Sequence, residues 1–265
     1  MLAAPTVLPR PRRPDLLLAW AAVVAAWVIT LLLVAAGRGS YLLDHDTVLE
    51  DRQFGWTITL LLFVAAWQLM TAAMMLPSSL PMIAMFLRVS RRDARPRLAF
   101  GRFLLAYLAI WTGFALIALA GDAGVHWLVD HAGWLEERPW LIGGAILVLA
   151  GAFQFSALKD RCLDACRDPL AFLMTHYTAR SRSAWHLGIQ HALFCLGCCW
   201  ALMLTMFAVG MGSLAWMTSL AGVMVIEKTT RYGNRLARPL GAALIIWGTL
   251  VLLNPDWLPA LARTA

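Results

Sequence analysis

Charged residues are scarce in this sequence, and their scarcity excludes an ordinary soluble protein. Only 14% of the 265 residues are charged, whereas 61% are hydrophobic and the mean hydropathy is +0.70. Soluble domains carry about 25% charged residues. No stretch between the apolar segments is long enough to fold alone. The composition therefore predicts an integral membrane protein.

Cysteines are also few, and their spacing excludes a disulfide framework. The five cysteines are an odd number without the regular spacing of small secreted domains. The net charge of +7 would suggest a nucleic-acid partner in a soluble protein. Here we assign the excess charge to arginine-rich cytoplasmic loops, so no nucleic acid is expected as a partner.

Seven apolar segments approach the length of about 20 residues that a membrane-spanning helix needs. They cover residues 15–37, 56–76, 98–120, 139–158, 185–209, 212–228 and 237–254. The loops between them are alternately basic and acidic or uncharged, beginning with a basic N-terminus. Because basic loops stay in the cytoplasm, this alternation predicts a cytoplasmic N-terminus and an odd number of crossings.

We therefore expect an all-α polytopic bundle of about seven spans in the bacterial inner membrane. Residues 1–265 would form a single membrane domain, with a cytoplasmic tail at 1–14 and a cytoplasmic loop at 159–183. The basic N-terminus precedes an apolar run longer than the core of a cleaved signal peptide, about 7–15 residues. This first segment is predicted to be an uncleaved anchor.

The fifth apolar segment contains the stretch CLGCCW, which places three cysteines within five positions. Residues three and four apart share a helix face, so His191, Cys195 and Cys199 form one line that Met203 continues. Cys198 lies beside this line. Thiolate, thioether and imidazole ligands select soft ions such as Cu(I), with zinc as an alternative metal. A purely packing role for the cysteines is the competing interpretation.

A second motif, QLMTAAMMLPSSLPMIAM, covers residues 68–85 and is rich in methionine. Met70 and Met74 are four residues apart on one helix face, and Met75 adds a third thioether. Pro77 and Pro81 each remove a backbone donor and are predicted to kink or end the helix. Broken helices inside a bundle often mark binding sites. The alternative is a lipid-facing helix in which methionine fills gaps.

A third motif, FSALKDRCLDACRDPLAF, covers residues 155–172. Cys162 and Cys166 are four residues apart and share a face if this stretch is helical. Its basic residues predict a position at the cytoplasmic membrane surface, where nearby cations favour the thiolate that binds metals. The motif lacks the second cysteine pair of a structural zinc site. An amphipathic connector with incidental cysteines is the alternative.

Taken together, the three motifs resemble those of the bacterial predicted metal-binding integral membrane proteins, an uncharacterised-domain family. The resemblance is carried by AAMMLPSSLPM (72–82), LKDRCLDACRDPLAF (158–172) and GIQHALFCLGCCWALM (188–203). It implies a multi-span bundle with a metal site, and it implies no particular substrate or reaction.

The leading hypothesis is a protein that binds or translocates a soft metal ion, with Cu(I) favoured. Ligands from the second and fifth segments would form a site within the membrane, and the Cys162–Cys166 pair would form a cytoplasmic transfer site. The expected partners are the lipid bilayer, the metal ion, and a metallochaperone or a subunit of a membrane complex.

Two other hypotheses stay open. A thiol–disulfide conduit needs two sulfur atoms close enough to bond, yet the mid-membrane cysteines all lie on one predicted helix. Cys162 would reach them only if its segment folded back into the bundle. A structural or assembly subunit needs no metal at all. An enzyme is not favoured, although a metal-dependent redox enzyme would use the same ligand types.

Overall fold

The computed structural model describes residues 13–37, 55–177, 181–209, 213–230 and 232–257, and within these ranges the regular structure is entirely helical. The helices are α1 (Arg13–Ala35), α2 (Trp56–Met74), α3 (Leu76–Val89), α4 (Pro96–His131), α5 (Gly133–Glu136), α6 (Trp140–Phe153), α7 (Ala157–Arg167), α8 (Pro169–His176), α9 (Ser181–Val209), α10 (Leu214–Thr229) and α11 (Gly233–Leu253). Most of the predicted tail at 1–14, the acidic loop at 41–51 and the hairpin near residue 210 lie outside the described residues.

Five of the described helices are long and apolar enough to cross a membrane. They are Leu16–Ala35, Trp56–Met74, Pro96–His131, Ser183–Met206 and Gly233–Leu253. A sixth span exists if α6 and α7, which are bent by 65° relative to each other, are counted as one. The remaining predicted span, at 212–228, corresponds to α10, which has only 16 residues. The helical bundle is thus as predicted, whereas the structure provides five to six candidate spans.

The break between α6 and α7 has a local cause in capping residues. The Ser156 hydroxyl accepts a hydrogen bond from the Lys159 backbone N–H at 3.1 Å, which begins α7 in a new direction. Asp168 caps α8 in the same way, accepting from the Ala171 N–H at 2.9 Å, with Pro169 as the first helical residue. The segment predicted as one span at 139–158 is therefore divided between α6 and the first residues of α7.

A second break separates α2 from α3 at Met75, within the proline motif. Pro77 has no N–H to offer the carbonyl of Ala73, and that oxygen instead accepts a hydrogen bond from Trp27 Nε1 on α1 at 3.1 Å. Ser78 donates to the Met75 carbonyl at 2.8 Å. The interrupted backbone thus recovers its hydrogen bonds from neighbouring side chains, as buried helix breaks in membrane proteins do.

Helices α6 and α11 pack along a seam of glycines. A Cβ atom placed on Gly151 would lie 2.7 Å from the Gly241 carbonyl oxygen, and one on Gly248 would lie 2.9 Å from that of Gly144. Such distances leave no room for a side chain, so small residues let the two backbones approach closely. This contact holds the C-terminal helix against the bundle.

Helix α9 lies at the centre of the bundle and packs against α4, α6 and α7. The stretch predicted to be a cytoplasmic loop therefore supplies a core helix, because α7 buries Cys162, Leu163 and Cys166 against its neighbours. These buried positions recur three and four residues apart and form one face of the helix. The fold thus brings the third sequence motif against the first.

Candidate soft-metal site

One hydrophobic core contains every sulfur-bearing residue that the sequence analysis singled out. All five cysteines are free thiols and buried. The core includes Met70, Met74, Met75, Cys162, Cys166, Cys195, Cys198, Cys199 and Met203. The three motifs, which are far apart in the sequence, therefore meet in one region of the bundle.

Cys195 and Cys199 form the first half of the cysteine cluster, one helical turn apart on α9. The Cys199 thiol lies 3.6 Å from the Met75 thioether sulfur, which the break between α2 and α3 places opposite α9. Cys199 also donates to the Cys195 backbone carbonyl at 2.8 Å. Two thiols on one helix and a thioether from another are thus gathered at one place.

Hydroxyl groups surround the Cys195 sulfur. Tyr107 Oη lies 3.3 Å from Cys195 Sγ, and Ser79 Oγ lies 3.3 Å from Tyr107 Oη and 4.0 Å from the same sulfur. Hydroxyl groups that donate to sulfur stabilise its anionic form, which is the form that binds metals. The surroundings of Cys195 are therefore polar even though the residue is fully buried.

Lys228, in the last turn of α10, extends its ammonium group into this half of the cluster. Its Nζ lies 3.1 Å from Cys195 Sγ, 3.8 Å from Cys199 Sγ and 3.3 Å from Ser78 Oγ. The residue is only 4% exposed. A buried ammonium is costly unless it is paired. The two thiols are the partners that the structure gives this charge.

A second buried lysine, Lys159 on α7, has a different partner. Its Nζ lies 2.8 and 3.0 Å from the two carboxylate oxygens of Glu227 and donates a further hydrogen bond to Gln154 Oε1. Lys159 and Glu227 are 0% and 2% exposed at their side chains. Arg167, at the end of α7, donates to the Thr230 carbonyl at 2.6 Å. Ionic contacts thus attach α7 to the end of α10.

Cys198 belongs to the second half of the cluster, which faces α7. Its thiol donates to the Cys195 backbone carbonyl at 3.1 Å and lies near the Cys166 thiol of α7. Gly197 permits this approach, because a Cβ atom at that position would lie 2.6 Å from Cys162 Sγ. The segment carrying Cys162 has therefore folded back into the bundle, which is the condition the sequence analysis set for contact between the two cysteine motifs.

His191 lies one turn before the cysteines and is surrounded by aromatic rings. Its ring stacks on Phe103 and Tyr107 at centroid distances of 5.9 and 5.7 Å, and the edge of Phe172 approaches at 6.2 Å. Neither ring nitrogen has a hydrogen-bond partner among the described residues, although the side chain is buried. His191 thus has ring nitrogen atoms near the cluster that are available as metal ligands.

The side chains of the cluster suit a soft ion by their chemistry, but they do not form a complete coordination site. Within the described ranges, no group of three His, Cys, Asp or Glu side chains is arranged to hold a metal ion. Met70, Met74 and Met203 belong to the same core. The sulfur donors that do converge, Cys195, Cys199 and Met75, are those that Cu(I) prefers.

Lys228 and Tyr107 are the site residues that the sequence analysis missed. Lys228 is the last residue of the predicted span at 212–228 and precedes a run of arginines, so it was not considered as a site residue. Two signals were available: only two of the 22 basic residues are lysines, and Lys228 continues the buried positions Met217, Ala221 and Met224 of α10. Charges placed at the spacing of a buried helix face indicate an interior role.

The fold and the cluster together define an apolar helical bundle with a sulfur-rich interior suited to a soft metal ion. The chain belongs to the family described as PpoB2, copper chaperone, which it matches over residues 64–251. The matched range includes all five cysteines, Met75 and both lysines. This match supports the part of the motif resemblance that concerns a metal-related family, and the metal named is copper. No curated protein and no solved structure matches the chain.

Proposed function

We propose that this protein is a membrane-embedded copper chaperone that binds Cu(I) between Cys195 and Cys199, with Met75 as a neighbouring thioether. Copper is the cargo in this proposal and not a resident cofactor. The observation that carries it is the meeting of two thiols and a thioether in one buried cluster, within a family described as copper chaperones.

Sulfur ligands suit this task for an electrostatic reason. A bare cation in an apolar interior is expensive, and the cost falls when anionic ligands surround it. Two thiolates bind Cu(I) with soft donor atoms that discriminate against hard ions such as magnesium. The unpaired nitrogens of His191 would offer a neutral ligand close by.

The second half of the cluster would receive the ion. Cys198 lies on the same helix as the Cys195–Cys199 pair, and its thiol is also near that of Cys166 on α7. Exchange of one thiolate ligand for another would carry Cu(I) from the first pair towards Cys166 and Cys162. Each receiving thiol would give up its proton as it binds the ion, and each sulfur that releases the ion would take up one proton in exchange. In this proposal the transfer site of Cys162 and Cys166 lies inside the bundle.

The proposed location is the bacterial inner membrane, with seven crossings and a cytoplasmic N-terminus. The support for it is the alternation of basic and acidic loops and the five helices long enough to span a bilayer. Helix α10 would be a short crossing, at about 24 Å for its 16 residues. Lipid and a copper donor or acceptor protein are the expected partners.

The proposal is tested by loading detergent-purified protein with Cu(I) under anaerobic conditions and measuring metal by elemental analysis. We expect wild type to retain an equimolar amount of copper and the Cys195→Ser/Cys199→Ser variant to lose it. The matched control is Cys162→Ser/Cys166→Ser, which removes the same number of thiols and should keep the first site. Equal copper in all three proteins would contradict the proposal.

One observation favours a second candidate function, a thiol–disulfide conduit. Cys166 and Cys198 are neighbouring buried thiols on different helices, and a cross-helix disulfide needs two thiols placed in this way. Mild oxidation followed by mass-spectrometric mapping tests it. A Cys166–Cys198 linkage that forms reversibly would support this function, whereas thiols that stay reduced while copper is bound would exclude it.

A further inference from the structure

We propose that Lys228 makes the Cys195–Cys199 site selective for monovalent over divalent metal ions by balancing the charge of the metal–thiolate complex. The inference rests on the proposed function and adds a specificity-determining residue to it. Lys228 is not a metal ligand in this role. It supplies a fixed positive charge beside the ligands.

The first support is the position of the ammonium group. Lys228 Nζ lies 3.1 Å from Cys195 Sγ and 3.8 Å from Cys199 Sγ, so it contacts both proposed ligands at once. Its remaining hydrogen bond goes to the neutral hydroxyl of Ser78 at 3.3 Å. No carboxylate is among these partners. The charge of Lys228 is therefore directed at sulfur.

The second support is that the neighbouring charges cancel. Glu227, the adjacent residue, directs its carboxylate away to Lys159 on α7, at 2.8 Å. The other polar contacts of Cys195 come from Tyr107 and Ser79, which are uncharged hydroxyls. Among the described residues, the positive charge beside the two thiols that no carboxylate balances is therefore that of Lys228.

Charge counting then distinguishes the two classes of ion. When the Cys195 and Cys199 thiols bind a metal ion, each gives up its proton to solvent and two thiolates remain. With Cu(I) the complex carries one negative charge, which the ammonium of Lys228 cancels. With a divalent ion such as Zn(II) the complex is neutral, and the ammonium is left unbalanced in a buried site, which is costly.

The choice of lysine over arginine agrees with this role. Lys228 is one of only two lysines among the 22 basic residues, and it is buried beside the two thiols. Lysine provides a compact point charge with a flexible stem, whereas the planar guanidinium of arginine favours paired contacts with carboxylates. A compact charge can follow the ligands as a metal ion enters between them.

The experiment compares Cu(I) and Zn(II) binding in wild type, Lys228→Met, Lys228→Gln and Lys228→Arg. Cu(I) affinity is measured anaerobically by competition with bathocuproine disulfonate, and Zn(II) affinity by competition with a chromogenic chelator. Size-exclusion chromatography in detergent shows which variants remain folded. Loss of the buried charge should lower the ratio of Cu(I) to Zn(II) affinity by about 10–100-fold in the Met and Gln variants.

Retention of the wild-type ratio by Lys228→Arg would show that charge, and not the shape of lysine, sets the preference. The inference is overturned if a folded Met or Gln variant keeps the wild-type ratio. It is also overturned if both affinities fall by the same factor, since that result indicates general damage to the site. Failure of wild type to bind Cu(I) at all would instead remove the proposed function.

Discussion

The two lysines of this chain are both buried, yet the structure surrounds them with different chemistry. Lys159 is paired with a carboxylate that is always available, that of Glu227, and with the Gln154 amide. Lys228 is paired with two thiols and a hydroxyl. The first pair is complete without any ligand. The contacts of Lys228 leave a positive charge that an anionic metal–thiolate complex would balance.

This difference separates a structural charge from a functional one. Removing one partner of a buried carboxylate–ammonium pair leaves the other charge buried and unpaired, which is costly. Such a pair therefore holds its two helices together. A thiol can remain neutral when its cationic neighbour is removed, so the fold tolerates that loss more easily. We therefore expect Lys159 to govern stability and Lys228 to govern metal preference.

The largest effect is expected for Lys159→Met, which should destabilise the fold by about 3–5 kcal/mol because Glu227 is left buried and unpaired. Unfolding in a denaturing detergent titration measures the change. The double variant Lys159→Met/Glu227→Leu should recover most of the loss, since neither charge then remains. In the same assay Lys228→Met should be the milder change. Equal destabilisation by the two lysine substitutions would contradict the assignment of a structural role to Lys159 and a metal-selecting role to Lys228.

A smaller effect is expected for Gly197→Val, which separates α7 from α9 at the point where Cys162 Sγ leaves no room for a Cβ atom. Overpacking of this kind costs about 1–3 kcal/mol. The control is Gly222→Val, because a Cβ atom at Gly222 meets nothing within 4 Å. Copper at the Cys195–Cys199 pair should survive in both variants. Its loss in Gly197→Val would show that the two halves of the cluster bind as one.

The smallest effect is expected for Met75→Leu, which removes the thioether 3.6 Å from Cys199 Sγ but keeps a similar volume. Cu(I) affinity should fall by about tenfold or less, as it does when a supporting contact to a ligand is lost. Stability should change little, since leucine and methionine replace each other well in cores. Met174→Leu, at a residue 77% exposed, is the control in the same competition assay.

The sequence was sufficient to predict the helical class and the sulfur-rich motifs because both depend on local patterns. Hydrophobic runs define apolar helices, and the spacing of Cys195 and Cys199 places them on one face whatever surrounds the helix. Pro77 likewise predicted a broken helix, and the break occurs beside Met75, whereas α3 continues through Pro81.

Contacts between segments were harder to predict, because they depend on how the helices pack. The basic residues of α7 indicated a membrane surface, but Lys159 finds its counter-charge on α10 and is drawn into the core. Lys228 was hidden for the same reason, since its neighbours in sequence are typical of a loop. The burial of a charge becomes predictable only when its partner is known.

The pairing of Lys159 with Glu227 also sets an order of events during synthesis. The ribosome releases α7 before α9 and α10 exist, so 68 further residues must be translated before Glu227, the partner of Lys159, is made. A helix with an unpaired charge is unfavourable in an apolar interior. The packing of α7 that buries Cys162 and Cys166 can therefore be completed only late in synthesis, once α10 is present.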